Sequence, residues 1–308
     1  MTAGILVLEL FGMIFVGWCI RRLHVIGEHF DKDLASFVTN VSLPCLIVNS
    51  MQMDFSWQEL INCAWLLLLA LLYLAVSFGV GFGVGRLYPN DHRRRITHYS
   101  AVFTNFTFMG VPVVETLFGQ AALFHFMIFL VPLRVALYVL SRPILTPPGV
   151  KAEKRSRFGW ITPPLAAVPV GLLLYVTGWQ LPAIPNQILK WIASVCSPLG
   201  MLLCGITLAK FPLKTLLRPR CFLMALLRNF LMPGIFLALS LLFGISKELA
   251  EPLVITAALP IGALMVSFTI KYDDEPEAHF DAAGCVLIST LLSAAAIPVW
   301  ARLLELLI

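Results

Sequence analysis

Apolar runs of about 20 residues, each long enough to cross a hydrocarbon core, recur along nearly all of this 308-residue chain. No water is available there to backbone N–H and C=O groups, so such runs fold as helices or as closed barrels. Their length selects helices, because a tilted barrel strand needs only about ten residues. No soluble domain remains between the runs. Charged residues make up 13% of the chain, about half the share in a soluble globular domain. The first run follows Met1-Thr2-Ala3-Gly4 without a basic region, and no small-residue cleavage site follows it. It reads as a retained span and not as a signal peptide.

Ten spans are predicted, at 4–20, 34–53, 58–85, 96–118, 121–141, 161–178, 188–209, 220–244, 252–271 and 280–304. The basic residues alternate strongly between their ends. Seventeen of the 22 follow odd-numbered spans, in clusters such as Arg21-Arg22, Arg93-Arg94-Arg95 and Arg218/Arg220. Only Lys190, Lys247 and Arg302 fall on the other side, and Arg134 and Arg228 lie inside spans. The positive-inside rule places the larger set in the cytoplasm and both termini outside. The net charge of +5 is therefore topogenic and gives no indication of nucleic acid.

Two spans are interrupted in matching places. Asn105-Phe106-Thr107-Phe108-Met109-Gly110-Val111-Pro112 breaks span four, and Ala257-Ala258-Leu259-Pro260-Ile261-Gly262 breaks span nine. Proline removes a helix hydrogen bond and clashes with the preceding turn. In hydrocarbon the freed groups must be satisfied by protein, water or ligand, and a matched pair of interrupted spans points to a transporter's substrate site. Weak echoes accompany the pair. Span two contains Val41-Ser42-Leu43-Pro44 and span seven Val195-Cys196-Ser197-Pro198. The intervals Pro44 to Pro112 and Pro198 to Pro260 are 68 and 62 residues. The chain thus divides into a first five-span repeat (1–145), a short basic linker (146–159) and a second repeat (160–308). Five spans per half makes the repeat inverted.

Asn-x-x-x-Met-Gly-x-Pro at 105–112, Ala-Leu-Pro-x-Gly at 258–262 followed by Lys271-Tyr272, and Asn40-Val41-Ser42-Leu43-Pro44 resemble the fourth, ninth and second helices of the auxin efflux carrier family. That family includes plant PIN proteins and bacterial carboxylate permeases, and the likeness runs over essentially the whole chain. The short linker is closer to prokaryotic members, hence to a bacterial inner membrane. The resemblance implies an all-α carrier with a scaffold of helices 1, 2, 6 and 7. Its transport domain is implied to be helices 3–5 and 8–10, moving as an elevator and carrying an organic anion such as auxin, malate or malonate. The resemblance leaves the drive open between the anion gradient, the membrane potential and protons, and implies a homodimer through the scaffold.

Half-helix N-termini after the breaks carry open N–H groups and a partial positive charge, a seat for a carboxylate. The expected donors are the amides of Gly110, Val111 and the next turn beyond Pro112, and those from Ile261 and Gly262 to Leu264. Gly110 and Gly262 permit close backbone approach. Asn105 either binds the carboxylate or satisfies the broken backbone. Thr107 and Ser267 are further candidates for the same cavity. Arg134 and Arg228 are intramembrane cations, each costly unless paired or hydrated. Either clamps an anion, or pairs structurally or snorkels, and Arg228 lies only about two helical turns from a basic loop. Glu115, just after Pro112, is a coupling-proton or cation candidate, or an acidic first-turn residue. His125 reads as a hydrogen-bonded interfacial histidine.

The seven cysteines read as small packing residues, with no disulfide or metal spacing. The glycines of Gly79-Val80-Gly81-Phe82-Gly83-Val84-Gly85 read as a helix-packing stripe, because no strand precedes them. Asp273-Asp274-Glu275-Pro276-Glu277 reads as a solvated turn. No cofactor motif, HExxH or GxSxG occurs, which sets an intramembrane enzyme aside. A sodium-coupled symporter of the bile-acid carrier type remains the alternative to an organic-anion carrier. It needs oxygen ligands at both breaks, and the stretch from Pro260 to Ile270 has no carboxylate or amide side chain.

Overall fold

The computed structural model describes residues 3–27, 29–148, 161–210 and 218–308. The linker is described only to residue 148, so Lys151, Lys154, Arg155 and Arg157 lie outside these residues, as does Lys214. The described residues are helical, with no strand. Among the described residues, five helices are long and apolar enough to cross a membrane: Trp57–Gly85, Phe106–Leu145, Ala183–Leu208, Pro219–Leu242 and Pro276–Leu307. The chain falls into two units, residues 1–68, 107–131 and 161–210 in one and 69–106, 132–160 and 211–308 in the other.

In the first unit α1 (Ala3–Arg22) packs against α9 (Cys196–Leu208). Glycines set this crossing. A Cβ on Gly17 would overlap the carbonyl of Leu202, and one on Gly205 would overlap that of Ile14. Such contacts let membrane helices approach backbone to backbone. Gly205→Val is therefore expected to lower the thermal midpoint of the detergent-solubilised protein by several degrees or prevent its recovery, as overpacking costs about 1–3 kcal/mol. An unchanged melting curve would contradict this crossing.

The same unit holds α2 (Phe30–Phe37), α3 (Leu43–Ser50), α7 (Pro163–Thr177) and α8 (Ala183–Ser194). A polar cleft of about 370 Å³ opens beside the end of α3, lined by Asn49, Gln52, Asp54, Gln180, Asn186 and Lys190 among others. His125 bonds Glu59 at 2.6 Å, which makes it the hydrogen-bonded histidine expected from the sequence.

Three π-helical turns occur among the described residues: Val38–Ser42, Phe106–Gly110 and Leu227–Leu231. Each ends two residues before a proline: Pro44, Pro112 and Pro233. Proline has no N–H and collides with the carbonyl four residues back. A wider turn there moves that carbonyl away without ending the helix.

α6 (Val111–Leu145) follows the second of these turns and bends at Gly119, with φ 80 and ψ −167. That backbone region is open essentially to glycine alone. This glycine lies between the fourth and fifth predicted spans, so the two arms meet with no loop between them.

The second unit contains the rest of α4 (Trp57–Gly85), then α5 (Asp91–Val102), α10 (Pro219–Leu226), α11 (Met232–Leu242), α12 (Lys247–Ala258), α13 (Leu264–Tyr272) and α14 (Pro276–Leu307). Gly81 and Gly85 of α4 lie against His98 of α5, whereas Gly79 and Gly83 face open space. Half of the glycine stripe thus packs as expected.

Asp274, Glu275, Pro276 and Glu277 of the acidic stretch are exposed, as a solvated turn would be, but the stretch also holds ion pairs. Asp273 is buried and accepts from Arg95 at 2.5 Å, and Glu275 pairs with His92 at 2.9 Å. The centre of this network is Asp281, which accepts from Arg218 at 2.6 Å and Arg220 at 2.9 Å. Arginines on α5 and around the start of α10 converge on the start of α14, so the acidic residues neutralise a basic surface that would otherwise repel itself. The seven cysteines form no disulfide among the described residues, and five of them are buried.

Candidate functional site: the paired helix breaks

The two interruptions meet. α5 ends at Val102, and Phe103 is extended, with φ −103 and ψ 122. α12 ends at Ala258, and Leu259 is extended, with φ −64 and ψ 151, as expected for a residue preceding proline. The two extended segments pair antiparallel around Thr104 and Ile261. Asn105 N donates to Pro260 O at 2.9 Å, and Gly262 N donates to Phe103 O at 3.0 Å. Backbone groups released by each break are thus satisfied by the other. The halves are not equivalent in detail. The second break centres on Pro260, whereas the first lies at Phe103 to Asn105, upstream of Pro112. Pro112 sits at the second position of α6, beyond the π-turn.

Gly262 is required by proximity. A Cβ there would stand 3.1 Å from Thr104 O and 3.4 Å from Tyr99 Oη. Of the expected amide donors beyond the second break, two are already used: Ile261 N donates to Ser289 Oγ at 3.1 Å, and Gly262 N to Phe103 O. The next two, on Ala263 and Leu264, make no hydrogen bond within the described residues and stand at the N-terminus of the nine-residue α13. Beside them Thr104 Oγ1 is buried without a hydrogen-bond partner.

The helix ends that enter the crossover are capped by side chains from span eight. Arg228, on the π-turn Leu227–Leu231, is fully buried at 0% exposure. Its Nη1 donates to Ala101 O at 2.7 Å, its Nη2 to Thr256 O at 2.8 Å and Tyr73 Oη at 2.5 Å, and its Nε to Leu259 O at 3.3 Å. Asn229 Nδ2 donates to Ala258 O at 3.0 Å, and Tyr73 Oη to Val102 O at 3.2 Å. The last carbonyls of α5 and α12 would otherwise be orphaned in hydrocarbon. Arg228 neither snorkels nor presents a free fork.

The other sequence candidates are distributed as follows. Asn105 is buried at the crossover. Arg134, 2% exposed, places its guanidinium carbon 5.2 Å from the ring centre of Phe106, the residue after Asn105. Pro260, Ile261 and Gly262 form the second strand of the pair, and Ser267 is exposed on α13. Gly110, Val111 and Pro112 are buried where α6 begins, Thr107 is half-buried, and all four belong to the first unit. In that unit Glu115 accepts a hydrogen bond from Ser197, the serine of the repeated Ser-Pro echo. Sequence reasoning missed Thr104, Tyr73, Asn229 and Ser289. They are ordinary polar residues in apolar spans, and only a near-continuous hydrophobic context marked them.

An all-helical chain with several membrane-length helices, two of its helical segments broken and hydrogen-bonded to each other, defines a membrane protein of the transporter class. A family model described as a membrane transport protein matches residues 3–301, and the chain belongs to that family, the auxin efflux carrier family. A curated relative from Methanothermobacter thermautotrophicus (strain Delta H), named an uncharacterized transporter, is 24% identical over 305 residues and is covered over 97% of each chain.

Proposed function

We propose that this protein is a secondary transporter of a small organic anion, a carboxylate such as malate, malonate or an auxin-like monocarboxylate. The carrying observation is the pairing of the two breaks, with the Ala263 and Leu264 amides left open at the start of α13. Open amides at a helix N-terminus favour negative charge. Asn105, buried at the crossover, supplies a side-chain amide, and Arg134, against the ring of Phe106, a buried cation. Thr107, Gly110, Val111 and Ser267 remain candidates for the walls of the path.

In this reading ten spans form two inverted repeats. Helices 1, 2, 6 and 7 are the scaffold, through which a homodimer forms. Helices 3–5 and 8–10 move as an elevator, driven by the anion gradient, the potential or protons. Both termini lie outside a bacterial inner membrane, consistent with the arginine clusters on the opposite side. Glu115, held by Ser197, is the proton-coupling candidate.

The sodium-coupled reading is the alternative, and the residues of the second break count against it. The stretch from Pro260 to Ile270 offers a cation no carboxylate or amide side chain. Currents from purified protein in liposomes on a solid-supported membrane test the proposal. The panel is malonate, malate, succinate, indole-3-acetate and a bile acid, with and without sodium and a pH gradient. A saturable, sodium-independent current with a carboxylate is expected. Sodium dependence with the bile acid would overturn the assignment.

A further inference from the structure

A buried arginine in a membrane span is costly unless its charge is met. Among the described residues no carboxylate pairs with Arg228, and its partners are three carbonyls and one hydroxyl. Two of those carbonyls, Ala101 and Thr256, lie in the last turns of α5 and α12, and the third, Leu259, caps α12. A helix C-terminus carries roughly half a negative charge. Two such ends sum to about one unit, the size of the guanidinium charge. The cation is therefore met by two helix ends and needs no acid.

From this balance we infer that Arg228 is a specificity-determining residue that acts on the transported anion without touching it. This inference rests on the organic-anion reading of the crossover. With Arg228 in place, the negative ends of α5 and α12 are cancelled, and the field left at the crossover is the positive N-terminus of α13. Without its charge, about one unit of negative potential would remain beside the same anion seat. Electrostatic energy is linear in ligand charge. Loss of the charge therefore weakens a dianion by roughly the square of the factor by which it weakens a monoanion. A residue that only held the helices together would weaken both equally.

The test compares malonate with monomethyl malonate, a monoanion on the same skeleton, by KM from solid-supported-membrane currents. Wild type, Arg228→Gln and Arg228→Lys are used, each first shown to be monodisperse by size exclusion. For Arg228→Gln the KM of the monoester is expected to rise about tenfold and that of malonate about a hundredfold. Arg228→Lys keeps the charge but has fewer donors for four acceptors. It is expected to lose thermal stability yet keep the wild-type ratio of the two KM values. Equal rises for both substrates in Arg228→Gln would overturn the inference. If that variant does not fold, a changed ratio in Arg228→Lys overturns it by itself. Absence of current for both substrates in wild type would instead sink the organic-anion reading.

Discussion

Gly262→Val should give a protein that inserts in the membrane but carries no measurable current. The alanine variant already places a Cβ 3.1 Å from Thr104 O, tighter than ordinary packing and against backbone, which cannot rotate away. Valine adds two methyl groups to that position. The antiparallel segments would have to separate, breaking the Gly262 N to Phe103 O bond and the Asn105 N to Pro260 O bond. Each group then left unsatisfied in an apolar interior costs about 1–3 kcal/mol. The helices themselves do not depend on this contact, so far-ultraviolet circular dichroism should be nearly unchanged. Alanine should be intermediate, with reduced current and a lowered thermal midpoint. Wild-type current in the valine variant would show that the pairing is not needed for transport.

Asn105→Ala is the second large effect. Its backbone bond to Pro260 is made by the main chain and survives the substitution. What is removed is a side-chain amide buried at the crossover. A hydrogen bond to a charged group contributes about 1.5–3 kcal/mol, so apparent affinity for the carboxylate should fall by roughly 10- to 150-fold. The thermal midpoint in the absence of substrate should change little. A large fall in stability with unchanged affinity among surviving molecules would mean that Asn105 serves the broken backbone instead.

The sequence carried the position of the second break well, because Pro260 both ends α12 and forces Leu259 into an extended conformation. It carried the first break less well. Neither Phe103 nor Thr104 is a proline or glycine, and they are extended because the opposite segment offers partners. Pro112, the residue that drew attention, lies past the break and is absorbed by a π-turn. Proline alone was not a sufficient marker, since Pro132, Pro143, Pro169, Pro252 and Pro298 all lie within continuing helices.

Arg228 shows the same limit from the side of charge. Two turns from a basic loop, it read as a snorkelling residue or an anion clamp. Its actual partners come from α4, α5, α12 and the break that follows α12, and they are mostly backbone carbonyls with no sequence signature. Asp281 was likewise invisible as the hub of the arginine network, because it sits inside an otherwise apolar span. By contrast the sequence placed Gly262 and Asn105 at the breaks, and both lie at the crossover.

The most direct test is an electron cryo-microscopy structure of the protein in nanodiscs, saturated with whichever carboxylate gives a current. Density for that anion is predicted within hydrogen-bond distance of the Ala263 or Leu264 amide and of the Asn105 side chain. Anion density elsewhere, with those amides still unbonded, would contradict the crossover as the substrate site.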